Sequence, residues 1–128
     1  MKELTAGITG SAETTVTGEN TALKMGSGSL SVFATPAMTA LMEQAAWQSV
    51  QPYLDPGQGT VGTRLEISHL AATAPGRIVR AESELCQIDR RRLVFSVRAY
   101  CDGTLIGEGT HERFIVDEAK FLSKLTQR

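Results

Sequence analysis

The chain changes rhythm near its middle. From Thr35 to about Gln51 apolar residues recur at helical spacing, whereas from Val61 onward they alternate with polar ones, as in half-buried strands. Thr35-Pro36 reads as a helix start, with Thr35 as N-cap and proline at the first helical position, where its missing N–H costs nothing. The helix is expected to stop before Tyr53-Leu54-Asp55-Pro56-Gly57, which makes it roughly 23 Å long. On a helical projection Gln44, Gln48 and Gln51 form one narrow stripe, and Met38, Leu41, Met42, Ala45, Ala46, Trp47 and Val50 take most of the remaining circumference. A helix with so little polar surface must be wrapped by other parts of the structure. Its alanines would let a sheet come close to its backbone.

The strands follow. Val61, Thr63, Leu65 and Ile67 are expected on one face, opposite Gly62, Arg64, Glu66 and Ser68. A second strand runs from about Arg77 to Ile88. In a third, Leu93, Phe95, Val97 and Ala99 oppose Arg92, Ser96 and Arg98. Asp102-Gly103 signals a hairpin into a strand from Thr104 to Val116, and a short helix from Asp117 to Leu125 closes the chain. Ahead of the long helix, Ala12, Thr14 and Val16 alternate as a first strand, and Gly26-Ser27-Gly28-Ser29 reads as a loop. The sum is a single α+β domain over residues 1–128, a long central helix wrapped by a curled antiparallel sheet.

Composition narrows the function. A length of 128 residues supports a core without disulfide or metal staples, and a net charge of −1 gives no pull toward nucleic acid or anionic lipid. No apolar run is long enough for a signal peptide or a membrane span, so a cytoplasmic protein is expected. Cys86 and Cys101 make no CxxC pair and suit a reducing compartment.

Glu43 breaks the pattern of the helix, since it projects between Ala46, Trp47 and Val50 instead of onto the glutamine stripe. Thr35 and Thr39 precede it at i−8 and i−4 and point roughly the same way. A carboxylate in an apolar arc is costly unless partnered, which makes it a candidate for chemistry or else a boundary residue reaching solvent. His69 continues the Val61–Ile67 face and reads as a half-buried core histidine or a proton carrier. His111, within Thr110-His111-Glu112-Arg113, reads as part of a solvated face or an ion pair. Capping alone would explain Thr35. With two histidines and no carboxylate cluster a catalytic metal centre is not expected. Walker and GxSxG motifs are absent, and Gly57-Gln58-Gly59-Thr60-Val61-Gly62 leads from a helix into a strand, the reverse of a dinucleotide fingerprint.

Four strings taken together carry a resemblance. Val32-Phe33-Ala34-Thr35-Pro36-Ala37-Met38 leading into Leu41-Met42-Glu43, then Gly62-Thr63 ahead of Ser68-His69-Leu70-Ala71-Ala72-Thr73, then Pro75-Gly76, and finally Gly109-Thr110-His111-Glu112-Arg113 are similar to one subgroup of hot-dog-fold thioesterases, that of fluoroacetyl-CoA thioesterase and its bacterial relatives. The resemblance spans about Phe33 to Arg113. It implies a hot-dog fold acting as a homodimer or tetramer on an acyl-CoA substrate, with active sites at the dimer interface and no cofactor beyond the coenzyme A of the substrate. It places the catalytic Thr, Glu and His on Thr35, Glu43 and His69, and substrate-binding roles on Gly62 and Arg113. One departure is visible. The segment Lys24–Leu30 lacks the bulky aromatics that cover the acyl group in the fluoroacetyl-specific enzyme, so a different or broader acyl specificity is expected. A non-catalytic acyl-CoA-binding domain is the alternative, and a hot-dog dehydratase or hydratase a third. An exposed sheet edge around Thr104–Val116 or Arg77–Ile88 is expected to form the dimer contact.

Overall fold

The alternating segments pair into one antiparallel sheet, and the helix lies across its concave face. The computed structural model describes residues 3–127, in the order β1 (Thr9–Thr15), α1 (Ala22–Met25), α2 (Thr35–Val50), a 3-10 turn (Gln51–Tyr53), β2 (Gln58–His69), β3 (Ile78–Asp89), β4 (Arg92–Cys101), β5 (Thr104–Asp117) and α3 (Glu118–Leu125). The spatial strand order is β1-β3-β4-β5-β2. Both turn residues between β4 and β5, Asp102 and Gly103, have positive φ (50° and 78°), the backbone that a two-residue hairpin of matching twist requires.

Helix α2 buries Met38, Leu41, Met42, Ala45, Ala46 and Val50 against Val79, Ala81, Leu85, Leu93, Phe95, Val97 and Ala99 of the sheet. The contact is closest at Gly10 of β1. A Cβ there would fall 2.6 Å from Ser49 Cβ and closer still to the Ala45 carbonyl oxygen, so only glycine lets helix and strand meet. The wrapping is one-sided. Trp47, expected inside, is 39 % exposed, and it ends a line of uncovered or half-covered residues, Thr35, Thr39 and Glu43, along the open flank of α2.

Three expectations change with the structure. Thr35 is not the N-cap: Ala34 takes that position with extended backbone and no side-chain bond, Thr35 is the first helical residue, and its hydroxyl is free for other work. The face expected from Val61 to Ile67 is broken by a bulge, because Gly62 lies opposite Arg113 and Arg64 opposite Glu112, leaving Thr63 with no partner. One extra residue reverses the alternation, so Gly62, not Val61, joins Leu65, Ile67 and His69 on the inner face. The strands expected to supply a dimer edge are interior, β3 lying between β1 and β4 and β5 between β4 and β2. The open edges belong to β1 and β2.

Candidate active site

The bulge sets up the site. At Gly62 a Cβ would stand 2.7 Å from Glu43 Oε2, 3.2 Å from an Arg113 terminal nitrogen and 3.3 Å from His111 Cε1. Glycine therefore lets strand β2 lie directly against a cluster from α2 and β5. Arg113 is its centre and is only 7 % exposed. Its Nε donates to Thr60 Oγ1 at 2.8 Å, Nη2 to the Thr60 carbonyl at 3.0 Å, and Nη1 reaches Glu43 Oε2 at 3.4 Å. Burial pushes the Arg113 guanidinium down from its ordinary value and Glu43 pulls it back up. An arginine stays charged even so, and it gives Glu43 the partner that a carboxylate in an apolar arc needs.

His111 is buried, 1 % exposed, not on the solvated face expected for it. Its Nδ1 lies 2.8 Å from the Arg64 carbonyl, which can only accept, so Nδ1 carries a proton. With the ring neutral, Nε2 is left as an acceptor, 3.1 Å from Arg113 Nη1 and 3.8 Å from Glu43 Oε2. Burial, above all, lowers the His111 pKa; the Arg64 carbonyl opposes that shift and the Arg113 charge adds to it. The ring is thus a fixed, neutral wedge that aims the guanidinium at Glu43.

Thr35 and His69 form a second cluster. Thr35 Oγ1 and His69 Nδ1 are 2.7 Å apart, a bond between the helix start and the last residue of β2. His69 Nε2 is buried without a hydrogen-bond partner, and burial lowers the pKa of the ring while the Ala71 backbone partly restores it. A cavity of about 320 Å³ opens beside this pair, lined by Ala22, Val32, Phe33, Leu70, Ala71 and Ala72 among others. Within one chain the two clusters stay apart. Glu43 is eight helical residues beyond Thr35, about 12 Å along the axis. Gly62 and His69 are seven strand residues apart, roughly 20 Å. One reacting carbonyl cannot touch both.

Of the residues singled out from sequence, Glu43, Gly62 and Arg113 come together, and Thr35 and His69 come together elsewhere. His111 and Thr60 were missed. A signal for His111 existed, since it alternates with Glu112 and shares the face of Gly107, Gly109 and Ile115, small or apolar residues that point inward. Among the described residues no group of three His, Cys, Asp or Glu side chains converges as a metal site. No described helix is long and apolar enough to cross a membrane.

Residues 16–119 match the family model described as fluoroacetyl-CoA-specific thioesterase. The chain belongs to this family. It is 43 % identical over 97 residues to the fluoroacetyl-CoA thioesterase of Streptantibioticus cattleyicolor, an alignment that covers 76 % of this chain and 70 % of that one. A solved fluoroacetyl-CoA thioesterase structure superposes with a TM-score of 0.91 at 34 % identity, covering 99 % of this chain and 98 % of the other. A Thermus thermophilus protein described as a thioesterase superfamily member gives 0.91 at 32 % identity, with 99 % and 94 % covered. The fold is the hot-dog fold of thioesterases, and the chain is a thioester hydrolase. Helix α3 lies almost wholly outside the matched span.

Proposed function

We propose that this thioesterase hydrolyses small or medium acyl-CoA thioesters in sites completed by a second copy of the chain. The observation that carries the reading is the Glu43–Arg113–His111 cluster pressed against Gly62, a carboxylate held by a buried cation where the strand has no side chain. In this reading Glu43 takes a proton from water as the resulting hydroxide attacks the thioester carbonyl. Charge builds on the carbonyl oxygen beside the Gly62 backbone N–H. Collapse of the tetrahedral adduct breaks the C–S bond, and the proton taken up by Glu43 passes to the departing thiolate by way of His69, which Thr35 steadies. Arg113 acts by holding Glu43, since each of its three nitrogens already has a partner in Thr60, Glu43 or His111. The Val32, Phe33, Leu70 and alanine walls beside His69 suit an apolar acyl group.

The second copy follows from the edge. Strand β2 is 12 residues long with one side unpaired, and Leu65 on it is exposed. Such an edge is normally paired or covered. Counted along the ladder, with Thr63 as the extra residue, Gly62 and His69 lie three positions on either side of Glu66. An antiparallel two-fold pairing about that point therefore brings His69 of one copy toward Gly62 and Glu43 of the other, joining the two clusters that one chain keeps apart. A homodimer is the minimal active unit, and pairs of dimers would make a tetramer. The unpaired Cys86 and Cys101 support a cytoplasmic setting.

Thiol release from short, medium and aromatic acyl-CoAs tests the activity, with Glu43→Gln expected to abolish it. Mixing inactive Glu43→Gln and inactive His69→Ala chains tests the shared site. Shared sites recover about a quarter of wild-type activity, because half of the random pairs contain one intact site of two. Sites built within one chain recover none.

A further inference from the structure

The bulge that turns Gly62 inward is gripped from the convex side of the sheet as well. Thr63, the residue with no opposite number, donates its hydroxyl to Glu112 Oε2 at 2.7 Å and lies 3.2 Å from the Glu112 carbonyl oxygen. Glu112 Oε1 accepts from Arg92 Nε at 2.5 Å. These two bonds hold the Glu112 carboxyl below the usual range, Thr63 contributing most. On the inner face the neighbouring residue of β5, His111, takes the Arg64 carbonyl just past the bulge. The Gly62–Arg64 stretch is thus pinned from outside by Glu112 and from inside by His111. A bulge without such pins has no ladder partner for its extra residue and can relax along the strand, and each one-residue slip exchanges the two faces.

We propose that Glu112, acting through Thr63 and braced by Arg92, is a positioning residue that fixes the β2 bulge and so holds Gly62 against Glu43 and Arg113. Among the described residues, the hydrogen bonds of these three side chains go to one another and to the Glu112 backbone, none to Glu43, His111 or Arg113. Their hold on Gly62 passes through the backbone, while the Glu112 charge also acts on the His111 ring. The kinetic consequence rests on the thioesterase reading above, while the geometric one does not.

Thr63→Val removes the hydroxyl and Thr63→Ser keeps it, so the pair separates the bond from the bulk. Thr63→Val is expected to lower kcat about tenfold with KM changed less than about twofold, since a sub-ångström misplacement acts on the transition state. Thr63→Ser is expected to stay near wild type. Glu112→Gln combined with Thr63→Val should be no worse than the poorer single variant, because both act on one contact. The Gly62 amide resonance should shift in Thr63→Val and Glu112→Gln and return in Thr63→Ser. A merely structural role would lower the melting temperature without moving kcat or the Gly62 amide, and that outcome overturns the proposal. Should the wild-type chain release no thiol from any acyl-CoA, the thioesterase reading fails alone. The resonances then decide the clamp, and an unmoved Gly62 amide in Thr63→Val refutes it.

Discussion

Replacing Gly62 by alanine tests the site with a single methyl group. The backbone tolerates it, since Gly62 is not among the residues with positive φ. The methyl would begin 2.7 Å from Glu43 Oε2, inside any ordinary contact distance. The carboxylate is the flexible partner, and it must recede by about 0.7 Å to regain van der Waals contact, loosening its 3.4 Å link to Arg113. Arg113 and His111 stand at 3.2 and 3.3 Å and need yield only slightly. Stability should therefore change by less than about 1 kcal/mol, with the lower chain entropy of alanine when unfolded offsetting part of the crowding. Activity should change far more. A misplacement of this size at a reacting group costs roughly 10- to 100-fold in kcat, or about 1.4–2.7 kcal/mol of transition-state stabilisation. Thiol release at saturating acyl-CoA reads the first quantity and a thermal melt the second. A Gly62→Ala enzyme with kcat within about threefold of wild type would show that Glu43 does not act at Gly62, and the proposed chemistry would fall with it.

Two further outcomes follow from the same cluster. Arg113→Lys keeps the charge but not the fork that reaches Thr60 and Glu43 together, so both kcat and melting temperature should drop; a lysine variant matching wild type in both would show that the bidentate geometry is idle. The pH dependence of stability reports on His111, whose folded pKa is lowered chiefly by burial. Above about pH 6.5 both folded and unfolded rings are neutral; below it the unfolded ring gains a proton that the folded one resists, so stability falls toward the lowered folded value. His69 acts in the same direction. Melts between about pH 8 and pH 5 should show this slope in the wild type and a shallower one in His111→Gln, and equal slopes would place the titration elsewhere.

Much of the fold was legible because burial leaves a periodic trace. The apolar arc of α2, the alternation in β4 and the Asp102-Gly103 turn each foretold their element, since one face of each must leave water. The bulge was not legible. Thr63 is as good a strand residue as its neighbours, and only the pairing with β5 reveals it as the extra one. That one residue moved Gly62 to the inner face. Glu43 stood out because a carboxylate among apolar neighbours contradicts the pattern around it. His111 stayed hidden because Glu112 and Arg113 gave its strand the look of a solvated face, when only alternate positions meet water. Thr35 was misjudged as a cap because Thr-Pro fits that role locally, whereas its partner, His69, is distant in the chain.

The strand order has a further consequence for how the molecule forms. Strands β3, β4 and β5 follow one another as a meander whose partners are neighbours in sequence, so they close short loops and can assemble early. Both edges wait for distant partners: β1 aligns Thr9 with Glu84, and β2 aligns Gly62 with Arg113. The Glu43 cluster sits where one of these late strands docks. Closure of the cluster late in folding and its early opening on heating are the expected outcome, and amide exchange should be slowest in the meander and faster along β2. A second copy laid along β2 would shut that opening, so that association and the integrity of the catalytic groups become one event.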